Sequence, residues 1–168
     1  MPIVLPDLLD KTLRESRLMF LDTRLDPSIG TPVLALVGDD NESLSRESGW
    51  DITSSKVVTG RIAVSATRSD ETMTVDPYFI RQSEALGALL MHIDENRLEL
   101  DQVRRDFYEV KLDNDDDVIY AFKMKAFVTP DSVGGDATDG DAIPFTLTFD
   151  SVRVPQDFDI DTMEFTDK

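Results

Sequence analysis

Val118-Ile119-Tyr120-Ala121-Phe122-Lys123-Met124-Lys125-Ala126-Phe127-Val128 carries the clearest structural signal of the chain. Its even positions, Val118, Tyr120, Phe122, Met124, Ala126 and Val128, are all apolar, while Lys123 and Lys125 stand on the odd face. A period of two over eleven residues predicts a long, half-buried strand. A Gly/Asp-rich loop, Thr129 to Ala142, follows it. Phe145, Leu147 and Phe149 then alternate with Thr146, Thr148 and Asp150, predicting a second strand up to Val154.

Working outward, Leu98 and Leu100, with Val103, alternate with Arg97, Glu99 and Asp101. Tyr108, Val110 and Leu112 alternate with Phe107, Glu109 and Lys111. Both read as half-exposed strands, and the aspartates between 113 and 117 form the turn into the long strand. Upstream, Asp76-Pro77 reads as a helix start, because Asp caps well and Pro suits the first helical position. Phe79, Ile80, Leu86, Leu89, Leu90 and Ile93 give the apolar stripe of that helix, about 77–93, and Asp94-Glu95-Asn96 ends it.

Residues 57–67 read as a strand with Gly60 at a bulge, and 68–75 as a loop. Asp39 to Lys56 is long, polar and aperiodic, hence an extended loop or protruding hairpin. It holds Trp50, the only Trp of the chain, which reads as core or, slightly favoured, as an interface anchor. Val33 to Val37 reads as a short buried strand, 18–21 as the start of a strand, and 7–17 as a weak helix. After Pro155, Phe158 and Ile160 alternate with aspartates in a last edge strand or arm. These elements predict one mainly β domain over 1–168, an antiparallel β-sandwich or barrel flanked by one α-helix.

The formal charge is −17, with 25 Asp and 9 Glu making up the 34 acids against 17 Lys and Arg. Asp excess with sparse Lys resembles proteins of halophilic archaea, whose acidic surfaces stay hydrated in concentrated salt. A basic patch for capturing nucleic acid is not expected from this balance. No Cys is present, which removes disulfides, thiolate catalysis and Cys-ligated metals, and a single His, His92, argues against His-based sites. No apolar run reaches the ~20 residues that cross a bilayer, and Met1 to Pro6 lacks a secretory pattern, so an intracellular product without membrane partners is expected.

An EF-hand beginning at Asp113 would need Gly at its sixth place and Glu at its twelfth, where Val118 and Met124 stand. The Asp136, Asp139 and Asp141 group reads as turn chemistry. No phosphate-binding glycine loop, nucleophile elbow or zinc-helix motif occurs. The sequence thus offers no catalytic residue, cofactor site or metal site, and an enzyme is not expected.

The order of these elements resembles the major tail, or tail-tube, proteins of long-tailed viruses with non-contractile tails. The likeness runs from Val33 to Ile160: an early strand, the excursion 39–56, the strand from Lys56 to Val64, the Asp76-Pro77 helix, and the strand–loop–strand closing at Phe149. Residues 1–26 lie outside it. The halophile-like composition narrows the resemblance to a virus of haloarchaea. It implies a structural virion protein, located in the tail and in the host cytoplasm during assembly. Six copies would join their sheets into a ring, and rings would stack into a tube that conducts double-stranded DNA without binding it. Further partners would be the tape-measure, tail-terminator and baseplate or distal-tail proteins.

The same resemblance makes 39–56 the contact to the neighbouring ring, with Arg46, Glu47 and Trp50 as candidates. Lumen candidates are the strand-face acids Glu99, Asp101, Glu109 and Asp150, which would repel phosphates. At ~1 M salt the Debye length is only ~3 Å, so hydration of the wall would then outweigh repulsion. The inner tube of a contractile injection or secretion system shares this architecture. A soluble acidic module holding cations or a protein is the reading from another class.

Overall fold

A computed structural model describes residues 17–38, 44–81, 83–113, 115, 117–134, 141–150 and 152–168. Residues 7–16 of the helix expected over 7–17, residues 39–43 of the excursion, and Asp136 and Asp139 of the loop lie outside the described residues, and Arg17 opens a strand instead. The chain is mainly β, with antiparallel sheets and, among the described residues, one α-helix.

Ten strands are described: β1 (Arg17–Asp22), β2 (Leu34–Leu36), β3 (Trp50–Lys56), β4 (Ile62–Arg68), β5 (Glu71–Val75), β6 (Arg104–Leu112), β7 (Val118–Pro130), β8 (Phe145–Phe149), β9 (Val154–Asp159) and β10 (Glu164–Asp167). The helix α1 spans Ala85–Glu95. β6 and β7 form the central hairpin, in register from Arg104 opposite Phe127 to Leu112 opposite Val118. β1 joins the other edge of β6 and β2 lies outside β1. The second edge of β7 is divided: Phe122 and Lys123 face β9, while Ala126 to Pro130 pair with β8, which carries β5.

Alternation sorts the side chains onto two faces. Met19, Leu21, Phe107, Met124, Ala126, Val128, Leu147, Met73 and Val75 share one face, and α1 covers it with Leu86, Leu89, Leu90 and Ile93. Each such fully buried Leu or Phe contributes about 1.5–3 kcal/mol. On the other face Val110, Leu112 and Ala121 meet Phe158 of β9 and Phe165 of β10. Phe165 lies 5.7 Å from Phe20 and 4.8 Å from Tyr108, centroid to centroid. The C-terminal hairpin is therefore packed onto the sheet through aromatic contacts, which in general contribute about 0.5–1.5 kcal/mol each beyond area. Lys123 and Lys125 stand on this second face, Lys123 3.6 Å from Asp167 and Lys125 paired with Asp106.

Several expectations are corrected. The helix begins at Ala85, eight residues after Pro77, with Glu84 at its N-cap position. Residues 78–80 instead run extended beside 141–143: the Ile80 amide donates to Asp141 O (2.9 Å) and the Ile143 amide to Tyr78 O (2.9 Å). The Asp76–Pro77 bond is cis. This tertiary pairing claims Phe79 and Ile80 before a helix can include them. The expected strand at 97–103 is a single 3₁₀ turn, Leu100–Val103, where Gln102 accepts a bond from the Glu99 amide (3.2 Å). Residues 71–75 are a strand rather than a loop. β2 is a partly exposed edge rather than a buried strand. β1, within the segment left outside the resemblance, lies inside the sheet between β6 and β2. Pro155 does not end the ladder; it lies within β9, opposite Phe122.

The loop between β1 and β2 is fastened by charges withdrawn from water. Asp22, fully buried, binds Arg24 through two oxygens at 2.6–3.1 Å and accepts the Val33 amide at 3.2 Å. Arg105, 1% exposed, donates to the carbonyls of Arg24 (3.1 Å), Leu25 (3.2 Å), Gln102 (2.7 Å) and Arg104 (2.9 Å). Its charge is thus dispersed over four backbone oxygens, which offsets part of the cost of burial.

Burial, and secondarily Asp106, pushes the Tyr108 phenol up to about 12. A group whose folded pKa is raised stabilises the fold below its unfolded pKa, near 10, and that stability is lost as pH climbs towards the folded value. Between pH ~10 and ~12 the protein is expected to lose about 2 kcal/mol through Tyr108 alone. Urea midpoints across this range should fall less steeply in Tyr108→Phe; equal slopes would refute the assignment.

Candidate assembly surface

β3 and β4 form a two-stranded sheet of their own, in register from Trp50 opposite Arg68 to Lys56 opposite Ile62. The turn 57–61 is closed by bonds from the Val57 amide to Arg61 O (2.9 Å) and from the Gly60 amide to Val57 O (2.8 Å). Gly60 sits in this turn at φ +80°, a left-handed conformation that favours glycine, and not at a bulge. The expected strand therefore starts at Ile62 rather than Val57. The protruding-hairpin reading of 39–56 fits its second part, and the partner strand β4 comes from beyond that segment.

Every residue of both strands is exposed. One face of this arm is mostly apolar: Trp50 and Ile52 of β3 and Ala66, Val64 and Ile62 of β4 share it with Ser54, and Arg68 and Lys56 stand at its two ends. The other face is polar, with Thr53 and Ser65 hydroxyls 2.7 Å apart. Trp50 lies beneath the Arg68 guanidinium, 4.4 Å from ring to Cζ, and remains 55% exposed. An isolated two-stranded hairpin is marginally stable in water, and a contiguous exposed apolar face is what interaction sites present.

The base of the arm is anchored. The Glu47 amide donates to Thr72 O (2.8 Å), adding a short pairing to the outer edge of β5. At Gly49, φ +59°, a Cβ would lie 2.6 Å from Asp70 O, so the crossing of the two chains requires glycine. Below it Arg46 turns inward. Its guanidinium is 3.0 Å from Glu109 and 3.5 Å from Glu71, and lies over the rings of Phe122 (5.5 Å) and Phe149 (5.9 Å). Glu71 also holds Arg153 (2.8 Å) and Arg68 (3.4 Å); Glu109 also holds Arg17 (3.5 Å) and the Tyr120 hydroxyl (2.8 Å). Burial, and then the bond to Glu109, raises the Tyr120 pKa.

The expected contact and lumen residues are thereby redistributed. Arg46, read as an inter-ring contact, and Glu109, read as a lumen acid, are internal and bound to each other. Glu109 is 1% exposed because odd positions of β6 face the helix-covered core, so the strand is not half-exposed there. Glu47 and Trp50 are exposed at the root of the arm. Glu99 and Asp101 are exposed, but on the turn after α1 rather than on a strand face. Asp150 follows β8 and is paired with Arg104 at 2.7 Å. Glu71 and Arg153 were missed. Glu71-Thr72-Met73-Thr74-Val75 does alternate, and an acid on its apolar face was the available signal of a buried partner.

Among the described residues no group of three or more His, Cys, Asp or Glu is arranged to hold a metal, and no helix is long and apolar enough to cross a membrane. Asp113 Oδ1 accepts the amides of Asp115 (2.8 Å) and Asp117 (2.9 Å), the bonding of a turn. No protein-family model matches the chain, and no curated protein matches it.

Proposed function

We propose that the chain is a structural, non-enzymatic subunit that assembles into rings stacked as a tube, in the manner of the viral tail-tube proteins whose element order it resembles. The arm carries this reading: an amphipathic hairpin is exposed on every residue, and its first strand, β3, falls within the segment 39–56 that the resemblance makes a contact to the next ring. Free sheet edges are the second support. β2 and β10 each end a line of strands, and an edge is a hazard in a monomer but a joint between copies. In this reading the subunit belongs to the tail of a haloarchaeal virus, meets other tail proteins at the tube ends, and passes double-stranded DNA without holding it. The acidic balance favours such passage by repelling phosphates at moderate salt.

Negative-stain microscopy of concentrated protein in high salt tests the proposal. Rings or stacked tubes are the expected result. A strictly monomeric protein at every salt concentration overturns it.

A further inference from the structure

Charge on this molecule is unevenly divided. From Trp50 to Arg68 the arm holds Lys56, Arg61 and Arg68 against Asp51 alone, a net +2, which leaves −19 on the rest of a chain totalling −17. The arm is a cationic projection from an anionic body. Its tip sets Lys56 and Arg61 on either side of Val57 and Val58, and Val58 has no cover at all, at 106% exposure. Such a tip fits a recess with an apolar floor and an acidic rim.

One groove has that composition. It opens between the C-terminal end of α1, the 3₁₀ turn and the end of β7, with a volume near 500 Å³. Ile93, Leu98, Val103 and Val128 form its floor. Asp94 and Glu99 stand at its rim with Arg97, and the exposed Glu95 and Asp101 adjoin them, a net −3 over residues 94–101. Leu100 is also part of the lining. It is 81% exposed and held at φ +55°, a backbone region uncommon for a bulky residue. A strained, exposed leucine beside an apolar groove is placed for contact rather than for the fold.

We propose that the Lys56–Arg61 tip of one copy seats in this groove on a second copy, with Val57 and Val58 on the floor and the two cations against Asp94 and Glu99. The inference rests on the tube reading and assigns the acceptor for its arm. It also gives Glu99 a role outside a lumen wall. A second copy is the favoured occupant because the chain itself supplies the complementary shape of charge: apolar flanked by basic on the arm, apolar flanked by acidic in the groove. In strong salt the ionic part is screened while apolar burial is retained.

The chain has no cysteine, so single introduced thiols report contacts directly. Val58→Cys protein mixed with Leu100→Cys protein should, under mild oxidation, give at least tenfold more mixed disulfide than Val58→Cys with Ile29→Cys, an exposed position outside the groove. Adding Asp94→Lys and Glu99→Lys to the Leu100→Cys chain should remove that excess. Adding Lys56→Glu and Arg61→Glu to the Val58→Cys chain should then restore it. Tubes that form without the excess, or with Val58→Cys linking chiefly to itself through arm–arm contact, overturn the inference and leave the tube reading standing. Absence of any assembly overturns both.

Discussion

Arg46→Met is expected to destabilise the protomer by about 3 kcal/mol, the lower end for breaking a buried ion pair. At ~2–4 °C per kcal/mol for a chain of this size, the melting temperature should fall by roughly 6–12 °C. The cause is Glu109, whose carboxylate is 1% exposed and 3.0 Å from Arg46. Methionine fills much of the same volume over Phe122 and Phe149 but leaves the carboxylate short of a charged partner. Arg17 and the Tyr120 hydroxyl remain in place and keep the loss below the upper range. Glu71 keeps Arg153 and contributes little to it. In the double variant Arg46→Met/Glu109→Leu at least half of the loss should return, because an apolar pair needs no desolvated charge. High salt should not mask the effect, since a buried pair is weakly screened. Denaturant unfolding of the single and double variants gives the coupling. A loss under about 1 kcal/mol in Arg46→Met would show that Glu109 does not depend on that pair.

The second large effect separates folding from assembly. Replacing residues 51–67 by Asn-Gly, a pair suited to a tight hairpin turn, joins Trp50 to Arg68 across the register they already share. Every strand residue removed is exposed, so the core loses no buried apolar area. Protomer stability should stay within about 1 kcal/mol of the parent, near the range of ordinary surface changes. Ring stacking should be abolished, as read by microscopy and sedimentation velocity. Tubes that form undiminished without the arm would remove the main support for the proposed function. An unfolded product would mean that the arm belongs to the fold.

The period of two was a sound guide wherever one face of a strand is buried. β8 follows it residue by residue, with Phe145, Leu147 and Phe149 buried; on β7 Phe122, Met124, Ala126 and Val128 are buried as expected, but Val118 is exposed and Ala121 of the opposite face is buried against Phe158. It misled where alternation was short or local bonding could take over. Leu98, Glu99, Leu100 and Asp101 alternate like a strand, yet the chain there folds onto itself as a 3₁₀ turn closed by the bond from the Glu99 amide to Gln102. Asp76-Pro77 has the residues of a helix start, but the pairing of 78–80 with 141–143 delays the helix to Ala85.

The candidate assembly surface was legible in outline and not in its residues. Trp50 and the polar excursion 39–56 marked the first strand of the arm, while the exposure of Trp50 and the pairing with β4 came from the structure. Arg46 and Glu109 could not be joined from sequence, since 62 residues lie between them and only the tertiary fold brings them together. Charge on a strand predicts exposure until another element supplies its counter-ion.

The mainly antiparallel β character, the apolar stripe of the helix, the acidity and the absence of cysteine were legible in the sequence, because composition and alternation depend on no distant contact. Tertiary structure alone decided where the helix begins, which acids are internal, and which face the two lysines of β7 occupy. It also divided β7 between two partners, turned β3 and β4 into an exposed cationic arm, and opened an acid-rimmed groove beside Leu100. Those features depend on pairings between segments far apart in the chain, and local propensity carries no information about them.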